Sequence, residues 1–287
     1  MLAIIGGSGI YDLPGLSNTE WLDIDTPFGA PSDALLLGEL AGQKLAFLPR
    51  HGRGHRILPS ELNFRANIYA LKQAGATQVV SVGAVGSLKP ELSPGTLVIV
   101  DQFVDRTFAR KKTFFGEGVV AHVSMAHPVC GRLGNALEQA ALQAGIACVR
   151  GGTYLVIEGP QFSTRAESEL YRSWSCDVIG MTNMPEAKLA REAELCYATL
   201  AMVTDYDCWH PEHDHVTVDH VIATLLANAD NARDLLRHAA PLVKDFRDAC
   251  PYGCTHALDH AVLTAREAWG KEQLARLEVI AGRVLKR

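Results

Sequence analysis

Short apolar runs rich in β-branched residues recur along the chain between segments with helical periodicity. Several of these runs are apolar at successive positions, which is typical of strands buried on both faces of a sheet. Such a sheet needs helices on both sides, so the pattern predicts an α/β fold. The predicted strands span 2–5, 45–48, 79–82, 97–100, 154–157, 178–181 and 198–203.

Helical signals fill the gaps between these strands. Thr164 with Glu167 three residues later has the spacing of a capping box, and Pro185 suits the first turn of a helix. Elsewhere apolar side chains recur at i, i+4 and i+7, and Gly75 and Gly145 mark helix ends. The predicted helices span 60–74, 131–144, 164–174, 186–193 and 218 to at least 229.

Composition excludes several classes of protein. The net charge of -5 and a pI near 6.1 argue against a nucleic-acid partner, which requires clustered cations. The basic stretch 106–112 is short, and we expect it to be a solvated loop. No run approaches the roughly 20 apolar residues of a membrane span, and no signal-peptide pattern opens the chain. We therefore expect a cytoplasmic protein with no membrane partner.

Seven cysteines are scattered mostly through apolar contexts. An odd number in such contexts fits buried thiols in a reducing compartment better than a disulfide framework. Cys250 and Cys254 are close enough in sequence to bridge through a turn. A metal site at this pair would need further ligands, so we predict no metal.

The first strand runs into a glycine turn, in which Gly6, Gly7 and Gly9 let backbone amides approach an anion and Ser8 adds a hydroxyl. The spacing is neither that of a dinucleotide fingerprint nor that of a P-loop. A cradle for free phosphate remains, although glycine turns are common after a first strand.

Two cationic side chains follow the strand 45–48. Arg50 can hold a phosphate bidentately, and His51 can donate a further hydrogen bond. Surface loops also collect arginine and histidine, so this segment alone leaves both interpretations open.

Asp205 and Asp207 end the apolar run 198–203 within the sequence TDYDCW. Side chains alternate along a strand, so we expect the two carboxylates to face the same way. Such a pair suits a purine base, which offers a ring nitrogen and an exocyclic amine. The alternative is that these acids cap a helix or face solvent in a turn.

Two further segments carry candidate contacts. In IEGPQFSTRAES, Phe162 could cover a purine ring or belong to the core, and Ser163 is placed for a base contact. In GMTNMPE, Met181 and Thr182 follow a strand and could contact a ribose and a phosphate.

The chain resembles the trimeric purine nucleoside phosphorylases, and among them those that act on 5'-methylthioadenosine. The matching stretches are IIGGSG, DTPFGAPSDALLLG, RHGRGH, PSELNFRANIYALK, GSL, DQFVDRT, IEGPQFSTRAES, MTNMPE and CYATLAMVTDYDCW. The resemblance implies one domain over 1–287, with three layers, a mixed and mostly parallel sheet flanked by helices, and a C-terminal helical extension from about 263 to 287.

The resemblance also implies the site residues. Phosphate is expected at Ser8, Arg50, His51 and Thr182, and the ribose near Met181. The base is expected between Phe162, Ser163, Asp205 and Asp207. A 5'-alkylthio pocket is expected to use Val218 and Val221, together with His122 and Leu263 from a neighbouring subunit of a homotrimer. Inorganic phosphate is a co-substrate and no cofactor is implied. Gly83 departs from the family, whose members usually carry a phosphate-binding threonine there; a neighbouring amide or Ser81 compensates, or phosphate binds more weakly.

In phosphorolysis, we expect Asp205 to act as the general acid at N7 and Asp207 to accept from the 6-amino group. A carboxylate at that position favours 6-aminopurines, so methylthioadenosine is expected to yield adenine and 5-methylthioribose 1-phosphate. Methylthioinosine, or a broader range of purine nucleosides, is the alternative.

Three readings lie outside the family. His210, His213, His215 and Asp214 could be ligands of a metal-dependent purine hydrolase. A NAD-dependent oxidoreductase would share the α/β pattern but lacks the fingerprint. A purine-binding protein without catalytic activity would bind nucleoside but show no phosphate-dependent turnover.

Overall fold

One mixed sheet of eleven strands runs through the part of the chain that the computed structural model describes. The described residues are 1–7, 10, 12–210, 218–244, 246 and 248–286, with the backbone alone at 218–223, 225 and 227. The strands are β1 (Leu2–Gly6), β2 (Ser17–Leu22), β3 (Leu35–Leu40), β4 (Gln43–Pro49), β5 (Gln78–Ser87), β6 (Leu97–Val100), β7 (Gln102–Asp105), β8 (Cys148–Arg150), β9 (Thr153–Val156), β10 (Val178–Gly180) and β11 (Cys196–Asp205).

The strand β5 is the junction of this sheet. The order is β2-β3-β4-β1-β5-β10-β9-β7, while β11 pairs with β5 and β6, and β6 also pairs with β8. Pairing is parallel between β5 and both β1 and β11, and antiparallel between β5 and β10. Among the described strands six pairings are parallel and four antiparallel, so the predicted mixed and mostly parallel sheet is confirmed.

Helices cover both faces of the sheet. The α-helices are α1 (Phe64–Gln73), α2 (Gly131–Ala144), α3 (Arg165–Ser173), α4 (Asn183–Glu192), α5 (Val218–Val243) and α6 (Lys271–Leu285), and short 3-10 helices lie at Pro59–Glu61, Cys254–His256 and Arg266–Ala268. Within one of two large apolar cores α1, α4 and α6 pack together, and within the other α2 packs against α5. A third, smaller apolar cluster includes Tyr171 of α3 and Ile179 of β10.

All seven predicted strands are present, and β2, β3, β7 and β8 were missed. The strand β2 is polar and exposed along its length, so it carries no apolar pattern. The helix predicted over 60–74 is interrupted, because the Asn63 side chain caps α1 by accepting from Ala66 N at 3.2 Å. The capping box of Thr164 and Glu167 is formed at the start of α3.

No helix among the described residues combines the length and the apolar character needed to cross a membrane.

Candidate active site

The ends of β1 and β4 meet the middle of β5 around the buried side chain of Arg50. The backbone N–H of Arg50 donates to Gly6 O at 2.9 Å, which ties the end of β4 to the end of β1. Nε of Arg50 donates to Glu186 Oε2 at 3.1 Å, and Nη1 donates to Val82 O at 3.0 Å. Nη2 donates to Ser81 Oγ at 2.6 Å and to the Ile5 carbonyl at 3.3 Å.

These contacts correct the expectation that Arg50 holds phosphate bidentately. Four of the five guanidinium N–H groups donate to the protein, which leaves one hydrogen on Nη1. A Cβ added at Gly83 would lie 3.5 Å from Arg50 Nη1 and 3.7 Å from Thr182 Oγ1. Gly83, Arg50 and Thr182 therefore lie close together, and the remaining Nη1 hydrogen and the Thr182 hydroxyl, which also interacts with Tyr154, are the candidate donors to an anion.

His51 also differs from its predicted role as a donor. Burial, together with the charge of Arg50, lowers the pKa of His51 to about 4, so the ring is neutral at pH 7. Its Nδ1 lies 2.8 Å from Ile57 O, and since a carbonyl only accepts, Nδ1 carries the hydrogen. Nε2 is consequently an acceptor, able to take a hydrogen bond from a protonated phosphate oxygen.

A buried network that sequence reasoning missed supports this end of the site. Glu186, which pairs with Arg50, also accepts from Tyr197 Oη at 2.8 Å. The Asn183 amide donates to Tyr197 Oη at 2.7 Å and to Thr199 Oγ1 at 2.6 Å. In the sequence Glu186 looks like an ordinary first-turn acid of α4, and only the tertiary structure brings it to Arg50.

The carboxylates of Asp205 and Asp207 come together by a geometry that differs from the predicted alternation. Strand β11 ends at Asp205, and Asp207 lies in the following turn with a φ of 52°. The Asp207 N–H donates to Asp205 Oδ1 at 2.8 Å, so the turn folds back over the strand end. Gly86 of β5 permits this approach, because a Cβ there would lie 2.9 Å from Asp205 Oδ1.

Both carboxyl groups hold protons more tightly than free aspartate does. Burial raises the pKa of Asp207 to about 6, and the charge of Asp205 adds to the rise. Burial also raises the pKa of Asp205, against a hydrogen bond from Thr204 Oγ1 at 2.7 Å. A pair of carboxyl groups with raised pKa values at the C-terminal end of a strand is suited to proton transfer.

Phe162 and Ser163 are placed beside this pair. Phe162 is 47% exposed, which fits a platform for a flat ring better than a core position. Cys208 Sγ donates to Ser163 O at 3.3 Å, which links this loop to the segment that carries Asp207. Among the described residues, the buried Ser163 Oγ has no hydrogen-bond partner, so it remains available to a ligand.

The backbone of Met181 is held by a second buried ion pair. Arg110 Nη1 donates to Met181 O at 2.6 Å, and Arg110 Nε donates to Glu158 Oε1 at 3.1 Å. Although burial opposes it, hydrogen bonds from Ser60, two backbone amides and Arg110 lower the pKa of Glu158 to about 2. The expectation of a solvated loop over 106–112 is therefore wrong for Arg110, which is buried.

His122 and Leu263 lie together on an exposed surface of the chain. The His122 N–H donates to Ala261 O and the Leu263 N–H to Val120 O, each at 2.9 Å, around a bridge between Ala121 and Val262. Leu263 is 67% exposed. Two predicted site residues from distant segments thus share one surface.

Several predicted residues cannot be placed in the same way. Ser8, and the candidate metal ligands His213, Asp214 and His215, lie outside the described residues. Val218 and Val221 begin α5, where only the backbone is described. His210 is described, and its ring stacks on Tyr206 with centroids 4.6 Å apart.

Comparison with known proteins identifies the family of this chain. Residues 1–241 match the phosphorylase superfamily. A protein of Cereibacter sphaeroides named S-methyl-5'-thioadenosine phosphorylase is 58% identical over 100% of this chain and 99% of its own. A protein of Rhodospirillum rubrum with the same name is 57% identical over 99% of this chain and 97% of its own.

Solved structures give the same result. A methylthioadenosine phosphorylase from an antarctic soil metagenomic library aligns with a TM-score of 0.92 and 51% identity, covering 97% of this chain and 98% of that one. A mutant of the adenosine/methylthioadenosine phosphorylase of Schistosoma mansoni, in complex with methylthioadenosine, aligns with a TM-score of 0.80 and 40% identity, covering 84% of this chain and 91% of that one. The chain therefore belongs to the phosphorylase superfamily, and within it to the family of the S-methyl-5'-thioadenosine phosphorylases.

Proposed function

We propose that this enzyme is a pentosyltransferase that cleaves 5'-methylthioadenosine with inorganic phosphate, yielding adenine and 5-methylthioribose 1-phosphate. The observation that carries the proposal is the arrangement along β5. Gly83 contacts the space between Arg50 and Thr182, and Gly86 lies against Asp205. Three residues of extended strand span roughly 10 Å, the length scale of a ribose with its purine.

The phosphate role is assigned to the end of the site around Gly83. The free Nη1 hydrogen of Arg50 and the Thr182 hydroxyl donate to phosphate, and His51 Nε2 accepts from its protonated oxygen. Ser8, in the glycine-rich segment that follows β1, is proposed as a further donor to phosphate. Bound in this way, a phosphate oxygen is already oriented toward C1'. Such fixed orientation lowers the activation free energy by about 7–11 kcal/mol in the best-oriented model reactions.

Asp205 and Asp207 are proposed to act on two different atoms of the base, N7 and the 6-amino nitrogen. The bond between C1' and N9 breaks with its electron pair moving to the purine, and a bond forms between C1' and a phosphate oxygen. Asp205, whose pKa burial raises, takes up a proton from solvent and passes it to N7, so adenine departs as a neutral base. Ionised Asp207 accepts from the 6-amino group, and Ser163 and Phe162 complete the base contacts.

The remaining roles extend the same proposal. Met181 contacts the ribose, and its position is fixed by the carbonyl that Arg110 holds. Val218 and Val221 form the 5'-alkylthio pocket, which His122 and Leu263 of a neighbouring subunit complete in a homotrimer. The reaction uses phosphate as co-substrate and no organic cofactor, in the cytoplasm.

The test is release of free base from methylthioadenosine and from methylthioinosine, each with and without phosphate. Adenine release that requires phosphate is expected for the wild type. Asp207→Asn should shift the preference toward methylthioinosine, since the amide can donate to a 6-oxo group. Base release without phosphate would instead indicate a hydrolase, and loss of that activity with a chelator would favour the metal-dependent alternative.

Wild-type preference for methylthioinosine would contradict the role given to Asp207 while leaving phosphorolysis intact. Binding of nucleoside without any turnover would reject the enzymatic proposal.

A further inference from the structure

Four cysteines from three distant segments meet in the core, away from the proposed site. Cys130 precedes α2, Cys196 begins β11, and Cys250 and Cys254 follow α5. Their four Sγ atoms all lie within 4.8 Å of one another. Each residue is at most 4% exposed, so this cysteine cluster is closed to solvent.

Backbone hydrogen bonds hold the segments of the cysteine cluster next to one another. The Cys130 N–H donates to Tyr197 O at 2.8 Å, which joins the start of α2 to the start of β11. The Gly253 N–H donates to Cys250 O at 2.9 Å, and Gly253 adopts a φ of 72°, so a tight turn brings Cys254 back beside Cys250. The three residues between this pair match the spacing of roughly two to four that zinc sites use.

The distances suit a metal ion better than a covalent bridge. Sulfur ligands about 2.3 Å from a tetrahedral zinc ion are about 3.8 Å from one another. The Sγ atoms of Cys130 and Cys250 are 3.6 Å apart, whereas a disulfide requires about 2.05 Å. We propose that Cys130, Cys196, Cys250 and Cys254 form a structural site for one zinc-type divalent cation.

A nearby positive charge can compensate the net negative charge of a metal ion bound by four thiolates. Binding replaces the four thiol protons by one divalent cation, which leaves two net negative charges on the metal and its thiolates. Arg132 Nη2 donates to Cys196 Sγ at 3.8 Å, which brings one positive charge to the cluster. Outer groups of this kind orient and stabilise metal-bound thiolates. Four protein ligands leave no open position, so the ion would be structural and not catalytic.

The bound ion would anchor the chain that follows α5. From Cys254 the chain continues through buried Leu258 to Ala261, which accepts from the His122 N–H. No metal is predicted from the sequence, because the two further ligands that Cys250 and Cys254 need are more than fifty residues away along the chain. The anchor would hold the surface that carries Leu263 without contacting substrate.

The decisive experiment is metal analysis and native mass spectrometry of the untagged full-length protein, purified under reducing conditions without chelators. About one zinc ion per chain is expected for a site with four sulfur ligands. Cobalt exchanged into the site should give the intense visible bands of tetrahedral thiolate coordination. Cys254→Ser should lose most of the metal, whereas Cys176→Ser, at a buried cysteine outside the cluster, should retain it.

A wild-type chain that contains no metal, whether its four clustered cysteines are free thiols or paired in disulfides, would overturn the proposal. Full zinc content in Cys254→Ser would overturn the ligand assignment. Should Cys254→Ser fail to fold, the wild-type measurement and its cobalt spectrum decide the matter alone. Phosphorolysis assays are not needed, so the outcome is independent of the proposed function.

Discussion

The two ends of the proposed site differ in how far the protein itself satisfies their polar groups. At the phosphate end, Arg50 is paired with Glu186 and donates most of its hydrogens to the scaffold. At the base end, Asp205 and Asp207 place two carboxyl groups together, and Ser163 Oγ is buried without a partner among the described residues. In the proposed function, the phosphate end is thus preorganised for positioning, while the base end is completed by the ligand and is assigned the chemistry and the specificity.

The largest effect is expected at the base end. Asp205→Asn keeps the shape of the side chain but removes the proton that the leaving purine needs, so kcat for methylthioadenosine should fall by about 10²–10⁴-fold. Steady-state kinetics with saturating phosphate measures this loss. A loss confined to KM would mean that Asp205 binds the base without acting as the acid.

Asp230→Asn provides a matched control. It makes the same chemical change at a side chain that is 75% exposed on α5. Its kcat should equal that of the wild type. A fall comparable with that of Asp205→Asn would indicate a general loss of folded protein.

At the phosphate end the corresponding effect should appear in stability. Glu186→Gln leaves the buried Arg50 charge without its counter-charge, so the free energy of unfolding should fall by about 3–5 kcal/mol. Urea denaturation measures it, and added phosphate should recover part of the loss by supplying a negative charge. The control Glu169→Gln removes an exposed partner of Arg172 and should change stability by about 1 kcal/mol at most. Equal effects of the two variants would contradict the preorganised phosphate end.

The contrast also explains what the sequence could predict. The buried strands and the capped helix α3 follow from local patterns, because apolar runs and capping boxes act over a few residues. Residues that end strands, such as Arg50 and Asp205, could be selected because strand ends converge at one edge of a sheet.

What the sequence could not supply was the partner of each buried charge. Glu186 and Glu158 look like ordinary acids until the fold brings them to Arg50 and Arg110. The neutral state of His51 depends in the same way on burial and on the Ile57 carbonyl. Such long-range pairings leave no periodic signal in the chain.

A smaller effect should appear as a pH dependence of base preference. Because the pKa of Asp207 is raised to about 6, the carboxylate that accepts from a 6-amino group is lost as the pH falls through 6. The protonated form can instead donate to a 6-oxo group. The ratio of kcat/KM for methylthioadenosine to that for methylthioinosine follows the ratio of ionised to protonated Asp207, so it should fall about tenfold for each unit by which the pH is lowered, on both sides of 6.

The ratio isolates Asp207, since protonation of Asp205 acts on both substrates alike. Asp207→Asn, which does not titrate, should give a ratio independent of pH between 5 and 8. A ratio that still changes in this variant would assign the titration to another group.

The smallest change tests whether the phosphate end is complete. A Cβ at Gly83 would make ordinary contacts, 3.5 Å from Arg50 Nη1 and 3.7 Å from Thr182 Oγ1, so serine fits there without strain. Ser81 cannot replace the missing hydroxyl, because its Oγ is buried against Arg50. One added hydrogen bond of about 0.5–1.5 kcal/mol should lower the KM for phosphate in Gly83→Ser by about 2- to 10-fold, with Gly83→Ala unchanged. If serine has no effect, phosphate needs no further donor at the position of Gly83, and the phosphate end is complete without one.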